Sequence, residues 1–139
     1  MTISARSLNH YQVEITSGDH KFVADEPLGI GDDGGPNPFD LLLASLASCI
    51  AITLKMYAGR KNWPLEQVQV EMNISSVDQV APDGCKSRSS TIESHLTFQG
   101  PLTLEQIRRL EEIASRCPVS RTVTGDLQIL HSVTNLQGS

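Results

Sequence analysis

Two of the three cysteines are placed where thiol chemistry is possible. Cys49 lies deep inside an apolar helical pattern, Leu41-Leu42-Leu43-Ala44-Ser45-Leu46-Ala47-Ser48-Cys49-Ile50-Ala51. Cys117 stands where a second, amphipathic pattern stops, in Arg116-Cys117-Pro118-Val119-Ser120-Arg121. Such thiols meet only in the folded chain, and if they meet the chemistry is oxidation and disulfide formation. Taken alone, Cys49 reads as a small buried hydrophobe. Cys117 has the stronger local case, because a thiol at an N-cap faces the positive end of a helix and Arg116 and Arg121 are near. Both features lower a thiol pKa. The competing reading of Cys117 is a helix-boundary residue of no consequence. Cys85, between Gly84 and Lys86 in a polar turn, reads as exposed and incidental.

No C-x-x-C pair occurs, so a structural zinc site is unsupported. The cysteine count also does not suit a disulfide scaffold. The 139 residues fit one domain over 1–139 with a core filled mainly by aliphatic side chains. The net charge is −5, and no Lys/Arg cluster follows a phosphate backbone, so nucleic acid is excluded as a partner. The first residues lack the apolar stretch of a secretory signal. The run Leu41 to Leu54, bounded by Asp40 and Lys55, is shorter than the roughly 20 residues a bilayer needs. The expectation is a soluble cytoplasmic protein with no membrane partner.

The elements that must position the thiols follow from periodicity. Asn9 to Ser17 and His20 to Ala24 alternate on either side of Ser17-Gly18-Asp19 and form a hairpin. Glu26 to Pro38 is a Gly/Pro/Asp loop without the Lys-Ser/Thr of a phosphate cradle. Asn37 and Pro38 start a helix that runs to about Lys61, where Asn62 and Pro64 stop it. Its first half is apolar nearly all round, the mark of a helix buried on most sides. Leu65 to Val77 and Ser90 to Phe98 make a second hairpin around Pro82-Asp83-Gly84. Thr103 and Gln106 fit a capping box for a helix ending near Arg116. A short helical turn follows Cys117-Pro118, and Leu127, Ile129 and His131 alternate as a last strand. The fold class is α+β: two hairpins and a C-terminal strand around a long central helix. So apolar a helix is difficult to cover in one small domain, which predicts a dimer whose central helices bury each other.

Gly35-Pro36-Asn37-Pro38, followed by an Ala/Ser-rich apolar helix with Cys49, resembles the first signature of the OsmC/Ohr family of osmotically induced and organic-hydroperoxide-resistance proteins. Cys117-Pro118-Val119-Ser120 resembles the second. The element order and the 68-residue separation of the two cysteines match as well. The resemblance implies an intertwined homodimer and a thiol peroxidase that reduces organic hydroperoxides. Cys49 is then the peroxidatic thiol and Cys117 the resolving one. An external dithiol of lipoyl type is the reductant, and no bound cofactor or metal is needed. In the peroxidase branches a Glu directly follows the Asn-Pro pair and holds an activating Arg. Here Phe39 takes that position and Asp40 follows, about 100° further round the helix. The pattern is closer to the OsmC-like branch. No partner Arg is evident, whether Arg6 or near His20 and Lys21. Asp40 and Arg121 are the candidate supporting residues, with His20 or His95 as other sources of positive charge near Cys49.

Two further functions compete with the peroxidase. One is a binding module whose apolar pocket, made more apolar by Phe39, holds a small hydrophobic ligand. The other is a redox sensor that forms the disulfide and turns over slowly.

Overall fold

The computed structural model describes residues 1–136. The chain opens with an antiparallel meander of β1 (Ser4–Ser7), β2 (Val13–Ser17) and β3 (His20–Ala24). The β2–β3 hairpin is the expected one, with Gly18 at φ 57° in its turn. β1 was not expected from the sequence, because all four of its residues are exposed and carry no apolar alternation. The expected start of β2 at Asn9 is also corrected. Residues 9–12 form a turn in which the Gln12 N–H donates to the Asn9 carbonyl and His10 adopts φ 54°.

The loop after β3 is organised by one buried carboxylate. Asp25 accepts N–H groups from Gly34 at 3.0 Å, Glu26 at 2.7 Å and Asp32 at 3.3 Å. The Gly34 bond leads these contacts in holding the carboxyl below the usual carboxylate range, although burial pushes the other way. Gly35 passes so close to the Val23 carbonyl that a Cβ there would collide with it. The loop thus delivers Asn37 to the head of the central helix.

That helix is α1 (Pro38–Lys61). The Asn37 side chain accepts the Asp40 N–H at 2.8 Å, and the Asp40 carboxylate accepts the Asn37 N–H at 3.0 Å. Asn62 ends the helix in the left-handed conformation at φ 55°. Leu46, Ile50, Leu54 and Ala58, spaced by four, form its buried row. Burial on most sides is not what a single chain achieves: Ile52 and Met56, on the other side, are 59% and 58% exposed. The helix is also longer than its most apolar run, and by length and composition it would span a bilayer. Its buried row instead packs into the core of its own chain.

β4 (Gln67–Val80) and β5 (Lys86–Gln99) form a separate two-stranded ribbon, with Val70 opposite Leu96 and Ile74 opposite Ile92. Alternate residues from Val68 to Ile74 are half-buried, whereas beyond Ser75 both faces are exposed. α2 (Leu104–Ala114) starts from the expected capping box, in which Thr103 and Gln106 exchange side-chain bonds. α3 (Pro118–Thr124) follows directly after Cys117. Leu54 and Leu110 are fully buried where α1 meets α2.

The expected last strand at Leu127, Ile129 and His131 does not form. Residues 126–136 pair with no strand, and Leu127 and Ile129 are 56% and 73% exposed. Alternation supplies a strand's faces, but its N–H and C=O groups need a neighbouring edge, and this segment meets none among the described residues.

Leu54→Ala removes a fully enclosed side chain from the junction of α1 and α2. The expected loss is about 3 kcal/mol of unfolding free energy, read from denaturant midpoints at constant slope. A loss below about 1 kcal/mol would mean that the junction collapses around the gap.

Candidate functional site

α1 and α3 bring the two thiols together. Cys49 sits one position before Ile50 of the buried row and is half-buried. Cys117 is fully enclosed, packed in the core with Leu110 and Ile113. Both are free thiols, and each acts on the other's titration, so they are neighbours in the fold.

The electrostatics invert the expectation from sequence, where Cys117 was the thiol to be activated. Burial pushes the Cys49 thiol up. It is outweighed by hydrogen bonds from the Cys117 thiol, the Val119 N–H and the Thr53 hydroxyl, so Cys49 lies below the ordinary thiol value. Thr53 is one helical turn beyond Cys49, with its Oγ1 at 4.0 Å from Sγ. Cys117 lies above the ordinary value, first because burial disfavours its charge and then because its proton is shared toward Cys49. The backbone N–H groups of Ser120 and Val119 offset this only in part. The pair therefore has a direction: Cys49 is the thiol that gives up its proton more readily, and Cys117 the one that holds it.

Cations play no part in that lowering. Arg121 is exposed and makes no ion pair among the described residues; its backbone N–H donates to the Cys117 carbonyl at 3.0 Å. His20 and His95 are exposed on β3 and β5. Asp40 is nine residues before Cys49, about 13 Å along the helix axis, and its carboxylate is spent on the helix cap. Neither proposed supporting residue, Asp40 or Arg121, is among the groups that shift the Cys49 thiol within the chain. Cys85 is exposed in the ribbon turn, as expected. Two contributors were not anticipated. Thr53 was legible as the residue four beyond Cys49, whereas the Val119 amide is set by the angle at which α3 leaves Cys117.

A groove of about 1130 Å³ is lined by Ile50, next to Cys49 in sequence, and by Ser120, but by neither cysteine itself. Phe39, Leu42, Leu46 and Ile50 form one wall, a single face of α1, and Leu96 and Phe98 of β5 form another. Phe39 is 60% exposed. Ser120, three residues after Cys117, also lines the groove, as do the polar His95 and Glu111. Among the described residues no cluster of His, Cys, Asp and Glu is suited to hold a metal ion.

Comparison with known proteins agrees with this fold. The family model described as OsmC-like protein matches residues 31–132. An OsmC-like protein from Mycoplasma pneumoniae superposes with a TM-score of 0.68 at 23% identity, covering 89% of this chain and 86% of that one. An organic hydroperoxide resistance protein from Elizabethkingia anophelis gives 0.63 at 23% identity, covering 91% and 90%. An organic hydroperoxide resistance protein OsmC from Legionella pneumophila gives 0.60 at 24%, covering 89% and 88%. No curated protein matches the sequence.

The direction of the pair is testable by alkylation in a Cys85→Ser background. The pH midpoint for modification of Cys49 is expected below the ordinary thiol value of about 8.5. Cys117→Ala is expected to move it upward, because burial remains and the leading compensating hydrogen bond is lost. A midpoint at or above the ordinary value, or one that Cys117→Ala leaves unmoved, would overturn the assignment.

Proposed function

The chain belongs to the family of OsmC-like proteins, and we propose a role in redox and peroxide resistance, the role named for relatives in fold among the organic hydroperoxide resistance proteins. From that premise we propose that it is a thiol peroxidase reducing organic hydroperoxides to alcohols through Cys49 and Cys117. The observation that carries this reading is that α1 and the start of α3 bring a half-buried and an enclosed free thiol together, with opposite pKa shifts.

In the proposed reaction the Cys49 thiolate attacks the terminal oxygen of R–O–O–H. The O–O bond breaks, the alkoxide leaves and takes a proton to become the alcohol, and Cys49 becomes a sulfenic acid. Cys117 then attacks the Cys49 sulfur, an S–S bond forms and water leaves. An external dithiol, of lipoyl type by resemblance, reduces the disulfide and is itself oxidised. The enclosed Cys117, the thiol harder to deprotonate, does not compete for peroxide; in the second step it passes its proton to the departing hydroxyl. The apolar groove suits a hydrophobic R group.

A binding module is the second reading, and Phe39 favours it. Where the peroxidase branches carry a Glu, this chain has an exposed aromatic ring on the wall of the groove.

The two separate in an assay of cumene hydroperoxide consumption with dihydrolipoamide as reductant. Several equivalents consumed per subunit are expected from the native protein. Cys49→Ser is expected to lose at least about a hundredfold, the scale of removing an activated nucleophile, and Cys117→Ser to stall after one equivalent. No turnover, with both thiols still free after peroxide, would leave only ligand binding.

The active form in this reading is a homodimer. Ile52 and Met56, four residues apart on one exposed face of α1, support it, as do the exposed apolar side chains of residues 127–136. Light scattering is expected to give twice the chain mass, and Met56→Glu is expected to shift the population toward single chains. A single-chain mass for the native protein would remove the dimer.

A further inference from the structure

A second concavity, of about 690 Å³, lies toward the C-terminal end of α1. Its size is within the range that holds small organic ligands. Tyr57, the first cleft residue on α1, is eight residues beyond Cys49, about 12 Å along the helix axis. No residue lines both this cleft and the groove beside the thiols.

Tyr57 and Trp63 form its apolar wall, with ring centres 5.5 Å apart and planes at 72°. Around them stand Lys61, Arg108 and Arg109, with Glu105 and Glu112 as the opposing charges. These charges are not equally engaged. Arg109 donates to Glu112 at 2.8 Å and to the Tyr57 hydroxyl at 3.1 Å, so that cation and Glu112 largely satisfy each other. Lys61 and Arg108 make no ion pair among the described residues. The Lys61 ammonium and the Arg109 guanidinium stand 5.9 and 5.8 Å from the Tyr57 ring centre. A cationic guest would therefore find the tyrosine already attended by two positive charges. A multiply charged anion would meet Glu105.

A single carboxylate on a flat apolar ring fits all of these features: the ring packs on the indole and phenol, and the carboxylate faces Lys61 and Arg108. We propose that this cleft is a binding site for small aromatic carboxylates. It is separate from the thiol pair, and the inference does not depend on the peroxidase reading.

Trp63 is the only tryptophan in the chain and forms part of the wall, so its fluorescence reports occupancy directly. The native protein is titrated with benzoate and, in parallel, with benzamide, which keeps the ring and loses the charge. A saturable change with benzoate is expected, with a Kd on the order of millimolar. Benzamide is expected to bind at least about fivefold more weakly, as is benzoate to the Lys61→Ala/Arg108→Ala double variant. Glu105→Gln is expected to tighten benzoate. Added salt is expected to weaken benzoate and leave benzamide unchanged. That last comparison needs no variant and stands even if the double variant fails to fold. Absence of saturation with benzoate, equal binding of benzamide, or benzoate binding insensitive to salt would overturn the proposal.

Discussion

The structure depends on one four-residue rhythm. Leu46, Ile50, Leu54 and Ala58 are the part of α1 that the chain covers by itself, and α2 and the base of the β4–β5 ribbon come together over it. Cys49 is one step off that row, which leaves it half-buried, near enough to the core to meet an enclosed thiol and still reached by solvent. Had the cysteine stood in the row, at position 50, it would have been the inert buried hydrophobe that most free thiols are. Had it stood on the far side with Ile52, it would have faced away from α3.

Asymmetry between the thiols comes from packing rather than from charge. Both are partly or wholly withdrawn from water, and both are raised by that withdrawal. The difference is in what each receives. Cys49 is lowered by the Cys117 thiol, the Val119 backbone and the Thr53 hydroxyl, whereas the neighbouring Cys49 raises Cys117. A site tuned by neutral donors keeps its bias when surrounding salt screens charges, because short hydrogen bonds are screened far less than distant ion pairs. It also explains how the pair is biased although no cation is among the groups that lower Cys49.

The sequence was most informative where local chemistry decides structure. Asn37 and Pro38, Asn62 before Pro64, and Thr103 with Gln106 each mark a helix end through hydrogen bonds confined to a few neighbouring residues, and each end falls where those residues place it. The ribbon was legible because Val68, Val70, Met72 and Ile74 alternate against a covered face. Legibility failed where the deciding partner is distant in sequence. β1 has no apolar pattern and exists through its pairing with β2. Leu127, Ile129 and His131 have the pattern and lack the edge. At the site, the positions of both cysteines were readable, but the sign of their pKa shifts was not. Arg116 and Arg121 suggested activation of Cys117, whereas its depth in the core, invisible in the local sequence, reverses that. Asp40 was read as a possible site residue when its spacing from Asn37 already described a cap.

The hydroxyls of α1 carry a consequence for its exposed side. Ser45 donates to the Leu42 carbonyl at 2.7 Å and Ser48 to the Ser45 carbonyl at 3.1 Å. Each hydroxyl is thus satisfied by the helix it belongs to, and neither relies on water for a hydrogen-bond acceptor. Stripping solvent from this side would orphan neither hydroxyl proton, and the usual penalty for dehydrating a polar surface is reduced at those positions. With Ala44 adding little bulk beside them, this stretch of the face is polar by composition and close to apolar in the cost of drying it.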